Sequence, residues 1–135
     1  IPNVLRAVRG EIPELTIFGR DYPTPDGTCV RDYVHILDLA QAHLAALGWM
    51  DKTPGASVFN LGNGSGFSIL DVMKTAEAVT GKPVPHRFAA RRAGDAGVLV
   101  ADAARARELL DWRPRFADLA SIVDTAWRWQ QNRAW

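Results

Sequence analysis

Between Ser68 and Pro83 the sequence marks both ends of one helix, and this fixes the layout around it. Ser68-Ile69-Leu70-Asp71 has the spacing of a capping box, with Asp where Glu is more usual. Ile69, Val72, Met73, Ala76 and Val79 then recur on one face, Gly81 stops the helix and Pro83 confirms the stop. A helix with one apolar stripe must bury it against other elements. Short apolar runs suited to strands lie on both sides, at residues 15–18, 30–36, 57–61 and 84–89, with a brief extended piece at 98–100. Helical periodicity returns at residues 2–9, ended by Gly10, and at 38–50, with Asp38 as N-cap and Leu39, Ala42, Leu44, Ala46 and Leu47 as the inner face. Asp102 caps a short helix to Leu110, and a last helix covers 118–131 with Leu119, Ile122, Val123, Ala126 and Trp127 or Trp129 inward. Strands alternating with helices predict an α/β fold.

The 135 residues suffice for one domain, and a hydrophobic fraction of 47% allows a packed core. With 16 basic and 15 acidic residues the net charge is +1, which gives no electrostatic case for nucleic acid or an anionic membrane. No apolar run approaches the roughly 18–20 residues of a membrane span. The single cysteine, Cys29, excludes an intramolecular disulfide, so no oxidising compartment is implied. The chain starts Ile1-Pro2-Asn3, without Met and in mid-pattern, and is expected to be a portion of a longer protein.

Three motifs carry possible chemistry. Gly62-Asn63-Gly64-Ser65-Gly66 lies between an expected strand and the capped helix, but position 67 is Phe, so G-x-G-x-x-G is incomplete. It reads as a flexible turn or as a phosphate site at the helix N-terminus. The nucleophile-elbow pattern fails because Asn63 stands two residues before Ser65. His35 and His43 are too far apart locally to share a metal ion, and no metal site is expected. The third motif is a pair of arginine loops. Arg31 follows the long loop 19–29, and Arg91-Arg92-Ala93-Gly94-Asp95 lies in another. Guanidinium groups from two loops can clamp a diphosphate by forked hydrogen bonds, with Asp95 accepting from a ribose hydroxyl. On spacing alone, two solvated surface loops are the favoured description, ahead of the clamp.

The run from Leu15 to His35, LTIFGRDYPTPDGTCVRDYVH, with Asp38-Leu39-Ala40 and Ala42-His43 after it, resembles the UDP-glucose 4-epimerases of the extended short-chain dehydrogenase/reductase family. Phe59-Asn60-Leu61-Gly62, the loop 91–95, Ala101-Asp102 and Leu110-Asp111-Trp112-Arg113-Pro114 continue the match in order. The resemblance implies a Rossmann-type protein of which residues 1–135 form the carboxy-terminal nucleotide-sugar-binding region. The amino-terminal dinucleotide-binding part would be missing, and residues 30–62 would pack with its sheet. It implies that Thr16, Ile17 and Phe18 line a uridine pocket, that Arg31 and Arg92 hold the diphosphate, and that Ala93, Gly94 and Asp95 complete the loop, with Asp95 on the ribose. Leu99 would stand at the sugar-pocket wall, where the family has Tyr or a small residue tied to acceptance of N-acetylated sugars. Ala93 replaces the Glu of the commoner loop.

The activity so implied interconverts UDP-glucose and UDP-galactose. NAD takes hydride from C4, a Tyr takes the hydroxyl proton, and the 4-keto sugar turns over before hydride returns. That enzyme would be a cytoplasmic isomerase, a homodimer in full length, binding a UDP-sugar and NAD but neither nucleic acid nor membrane. No catalytic or cofactor-binding residue is expected in this chain. The family's Tyr-x-x-x-Lys is not met, since four residues after Tyr22 is Asp26 and four after Tyr33 is Leu37. The chain alone is therefore expected to bind substrate without turnover. Related nucleotide-sugar epimerases or dehydratases, and a non-catalytic binding module, are the alternatives.

Overall fold

A computed structural model describes residues 1–132. The elements are α1 (Pro2–Val8), β1 (Leu15–Phe18), β2 (Val30–Arg31), α2 (Ile36–Met50), β3 (Phe67–Ser68), α3 (Ile69–Thr80), β4 (His86–Ala89), β5 (Val98–Leu99), α4 (Ala104–Leu109) and α5 (Leu119–Asn132). The capping box forms as spaced: Ser68 Oγ accepts from Asp71 N at 2.9 Å, and Ser68 N donates to Asp71 Oδ2 at 3.0 Å. Gly81 closes α3 at φ +66°, a left-handed value that glycine adopts without a Cβ clash.

The stripe of α3 anchors the main core. Val72, Met73 and Ala76 pack with Val4, Leu5 and Val8 of α1, Ile17 of β1, and Leu119 and Val123 of α5. β1 and β4 pair in parallel, with Ile17 opposite Phe88 and Phe18 opposite Ala89. Parallel pairing sends the chain out of both strands at the same end, so loops 19–29 and 90–97 emerge side by side. A second small sheet has order β3-β2-β5, with β2 antiparallel to β3 and parallel to β5, and Arg31 opposite Leu99.

Several expected boundaries move. The run 30–36 forms ladder pairs only at Val30–Arg31, and 57–61 has none. Both were read from apolar β-type residues, but a strand also needs a partner edge. β2 finds two within this chain, whereas Phe59 and Leu61 instead pack on a second cluster of Ala42, Ala103, Ala106 and Trp112. The cap of α2 is His35 rather than Asp38: its Nδ1 accepts from Leu37 N at 3.1 Å. Asp38 is fully buried one turn on. Its carboxylate accepts from Arg115 N at 2.9 Å and Phe116 N at 3.0 Å, and its carbonyl accepts from Trp112 Nε1 at 2.8 Å. Leu44 and Leu47, expected inside, are 69% and 58% exposed because nothing among the described residues covers that face. Trp127 packs against the main core, while Trp129 is exposed.

Candidate nucleotide-binding site

The end of β1, the start of β2 and the loop after β4 enclose a cavity of about 300 Å³. That is the lower end of the range for small-molecule sites, roughly 300–1,000 Å³. Thr16, Ile17 and Phe18 form one wall, while Arg31, Arg92 and Asp95 supply its charge. Six of the nine expected residues thus meet at one place. Ala93 and Gly94 do not line it; both are exposed on the turn between Arg92 and Asp95. Leu99 lies in an adjoining cavity of about 450 Å³ with Asp32, Asn60 and Ala101, and Arg31 lines both spaces.

The two arginines differ in state. Arg92 Nε donates to Asp95 Oδ2 at 2.9 Å, and its guanidinium sits 4.8 Å from the Phe18 ring centroid. Arg31 is half-buried, and its Nη1 donates to the Val30 carbonyl at 2.8 Å. Among the described residues no carboxylate forms an ion pair with Arg31. A guanidinium carries five donors in a fixed fork, so one carbonyl leaves most of its hydrogen-bonding capacity for a ligand. Withdrawal from water strengthens its attraction for an anion entering the cavity.

Sequence reading missed the lining contributed by Asn3 and Val4 of α1, by Cys29, Tyr33 and Ile69, and by Val72 of α3. Burial pushes the Tyr33 phenol above its ordinary range, against the opposing pull of Arg31. No local pattern marks these residues, because α1 reaches the cavity through its packing on α3, β1 and α5. His35 lies elsewhere: its Nε2 donates to Thr125 Oγ1 at 2.9 Å, and its ring stacks on Phe116 with centroids 4.3 Å apart.

The turn 62–66 does not suit a dinucleotide pyrophosphate. Asn63 N already donates to Asp32 Oδ1 at 3.0 Å, and Gly62 lies against Asp32 Oδ2 and Ala101. The Asp71 carboxylate occupies the N-terminus of α3, where an anion would sit.

The arrangement is that of the extended short-chain dehydrogenase/reductase fold, with parallel strands delivering loops 19–29 and 90–97 from their carboxyl ends. Residues 1–62 match the NAD dependent epimerase/dehydratase family. In sequence the chain is similar to the UDP-glucose 4-epimerases. It is 50% identical to that of Streptomyces lividans over 134 residues, covering 98% of this chain and 39% of the relative. It is 45% identical to that of Lacticaseibacillus casei over 132 residues, covering 98% and 40%. The crystal structure of the Bifidobacterium longum UDP-glucose 4-epimerase in complex with NAD+ and UDP superposes with a TM-score of 0.91 at 38% identity, covering 98% of this chain and 39% of that one. The chain thus spans about 40% of the length of the curated relatives it matches. Among the described residues, no helix is long and apolar enough to cross a membrane.

Proposed function

We propose that this chain supplies the nucleotide-sugar grip of a UDP-glucose 4-epimerase that interconverts UDP-glucose and UDP-galactose with bound NAD. The observation that carries the reading is the convergence of Arg31 and Arg92 on one cavity walled by Thr16, Ile17 and Phe18. The base would lie along β1, where backbone groups and the Phe18 ring are presented. The diphosphate would lie between Arg31 and Arg92, and the ribose near Asp95. Ala93 and Gly94 would set the turn that carries Arg92 and Asp95. The sugar would pass beyond Arg31 toward Leu99, whose cavity Arg31 also lines. Anchoring by the nucleotide leaves the sugar free to turn, which a 4-keto intermediate needs in order to present either face. Hydride and proton transfer would fall to residues outside 1–135.

In the same reading, residues 30–62 are covered by the remainder of the protein. Residues 57–61 have no ladder partner, and α2 leaves Ile36, Leu44, Leu47 and Met50 exposed. The full protein would be a cytoplasmic homodimer. Calorimetric titration with UDP, UDP-glucose and NAD tests the grip. UDP binding by residues 1–135 without NAD binding is expected; NAD binding without UDP binding would overturn it.

A further inference from the structure

We infer that Arg91 is a positioning residue for the clamp: it fastens loop 90–97 to loop 19–29 and thereby sets Arg92 and Asp95 against Phe18. This deepens the proposed function and rests on it. Arg91 and Arg92 are neighbours, yet they face different spaces. Arg92 lines the nucleotide cavity, whereas Arg91 lies in an open cleft with Gly19, Asp21 and Phe88. A side chain facing away from the cavity cannot itself touch a ligand there, but it can fix the backbone from which the next one projects.

Arg91 is held at four points. Its Nε donates to Asp21 Oδ1 at 2.7 Å, and its Nη2 donates to the Asp21 carbonyl. Its guanidinium lies 4.1 Å from the centroid of the Tyr22 ring, which is itself buried. Its stem crosses Gly19 so closely that a Cβ there would stand 2.8 Å from Arg91 Cγ and would strike the Tyr22 ring. Gly19 also has φ +82°, so glycine is required on both steric and backbone grounds. Backbone bonds flank the latch: Gly19 N donates to the Ala89 carbonyl at 2.9 Å, and Val30 N to the Gly97 carbonyl at 2.8 Å. An isolated exposed ion pair contributes little. Here two donors converge on one residue while the guanidinium stacks on a buried ring, which restricts the rotamers of the whole loop.

The test is UDP titration of the full-length gene product with the variants Arg91→Ala, Arg92→Ala and the double variant, with melting temperatures taken in parallel. If Arg91 acts through Arg92, Arg91→Ala weakens UDP about tenfold with Arg92 present and less than about twofold in the Arg92→Ala background. An equal loss in both backgrounds, or no loss in either, would overturn the inference. A role in folding alone would lower the melting temperature without that non-additivity. Asp21→Ala removes one leg of the latch and keeps the Tyr22 stack; it is expected to weaken UDP about threefold, and wild-type affinity in it would also count against the latch. Failure of the wild-type protein to bind UDP would instead overturn the proposed function, and this inference with it.

Discussion

Arg92 lies over the ring of Phe18 while its Nε holds Asp95 at 2.9 Å, so the final residue of β1 and a loop that follows β4 meet at one cation. The ring restricts the guanidinium, and the carboxylate orients it. In the proposed function, a diphosphate arriving there would meet a donor group already in place, so little side-chain entropy would be lost on binding. Replacing Arg92 or Arg31 with Ala is expected to weaken UDP by about 1.5–3 kcal/mol each, the range for a hydrogen bond to a charged group. Calorimetry on the full-length protein checks this, and unchanged affinity in both variants would reject the clamp.

Asp38 joins α2 to the segment after α4. Asp38→Ala removes the acceptor for two backbone N–H groups, of Arg115 and Phe116. Each donor left without a partner costs about 1–3 kcal/mol if it stays out of water. A clear drop in urea midpoint is expected, with UDP affinity retained in the fraction that folds. The measurement is equilibrium denaturation followed by Trp fluorescence, since Trp112 is buried beside this bond.

Asp26 ties loop 19–29 to the start of α3. Burial works to raise its carboxyl pKa, but hydrogen bonds from Ser68 Oγ, Thr28 N at 2.9 Å and Thr28 Oγ1 at 2.7 Å outweigh that, and the pKa is lowered. The folded chain therefore takes up this proton less readily than the unfolded chain does. The resulting stabilisation is complete above the ordinary carboxylate value of about 3.9 and is lost as pH falls through the lower folded value. Asp26→Asn should flatten the stability profile below about pH 5. Thermal melts from pH 7 downward that fall equally steeply in both proteins would contradict this. Ser68→Ala also removes the cap of α3 and is expected to cost about 0.5–2 kcal/mol near neutrality.

Residues 1–135 expressed alone should self-associate or unfold with low cooperativity. Ile36, Leu44 and Met50 on α2 are each more than 60% exposed, as are Val58 and Leu99. Apolar side chains gathered on one helix face and beside an unpaired extended segment favour association between copies. Sedimentation velocity and thermal melting decide it, and a monomer with one sharp transition would contradict the expectation.

The sequence by itself determined the elements whose signals are local. The capping box and Gly81 bounded α3 because such bonds join residues only a few positions apart. The tract 15–35 carried the resemblance to the epimerases, and that resemblance, continued in loop 91–95, carried the expectation that Arg31 and Arg92 act as a pair. Tertiary structure decided what depends on partners distant in the chain. Asp38 has the residue type of an N-cap, yet it serves Arg115 and Phe116, more than seventy positions away. Residues 57–61 have strand composition, yet a ladder needs an edge and none among the described residues meets them. Leu44 and Leu47 follow a helical apolar period, which states that a face is apolar but not what covers it. Spacing alone did not separate Arg91 from Arg92, and only the resemblance singled out Arg92. In the folded chain Arg92 lines the cavity, whereas Arg91 is held by Asp21 and Tyr22.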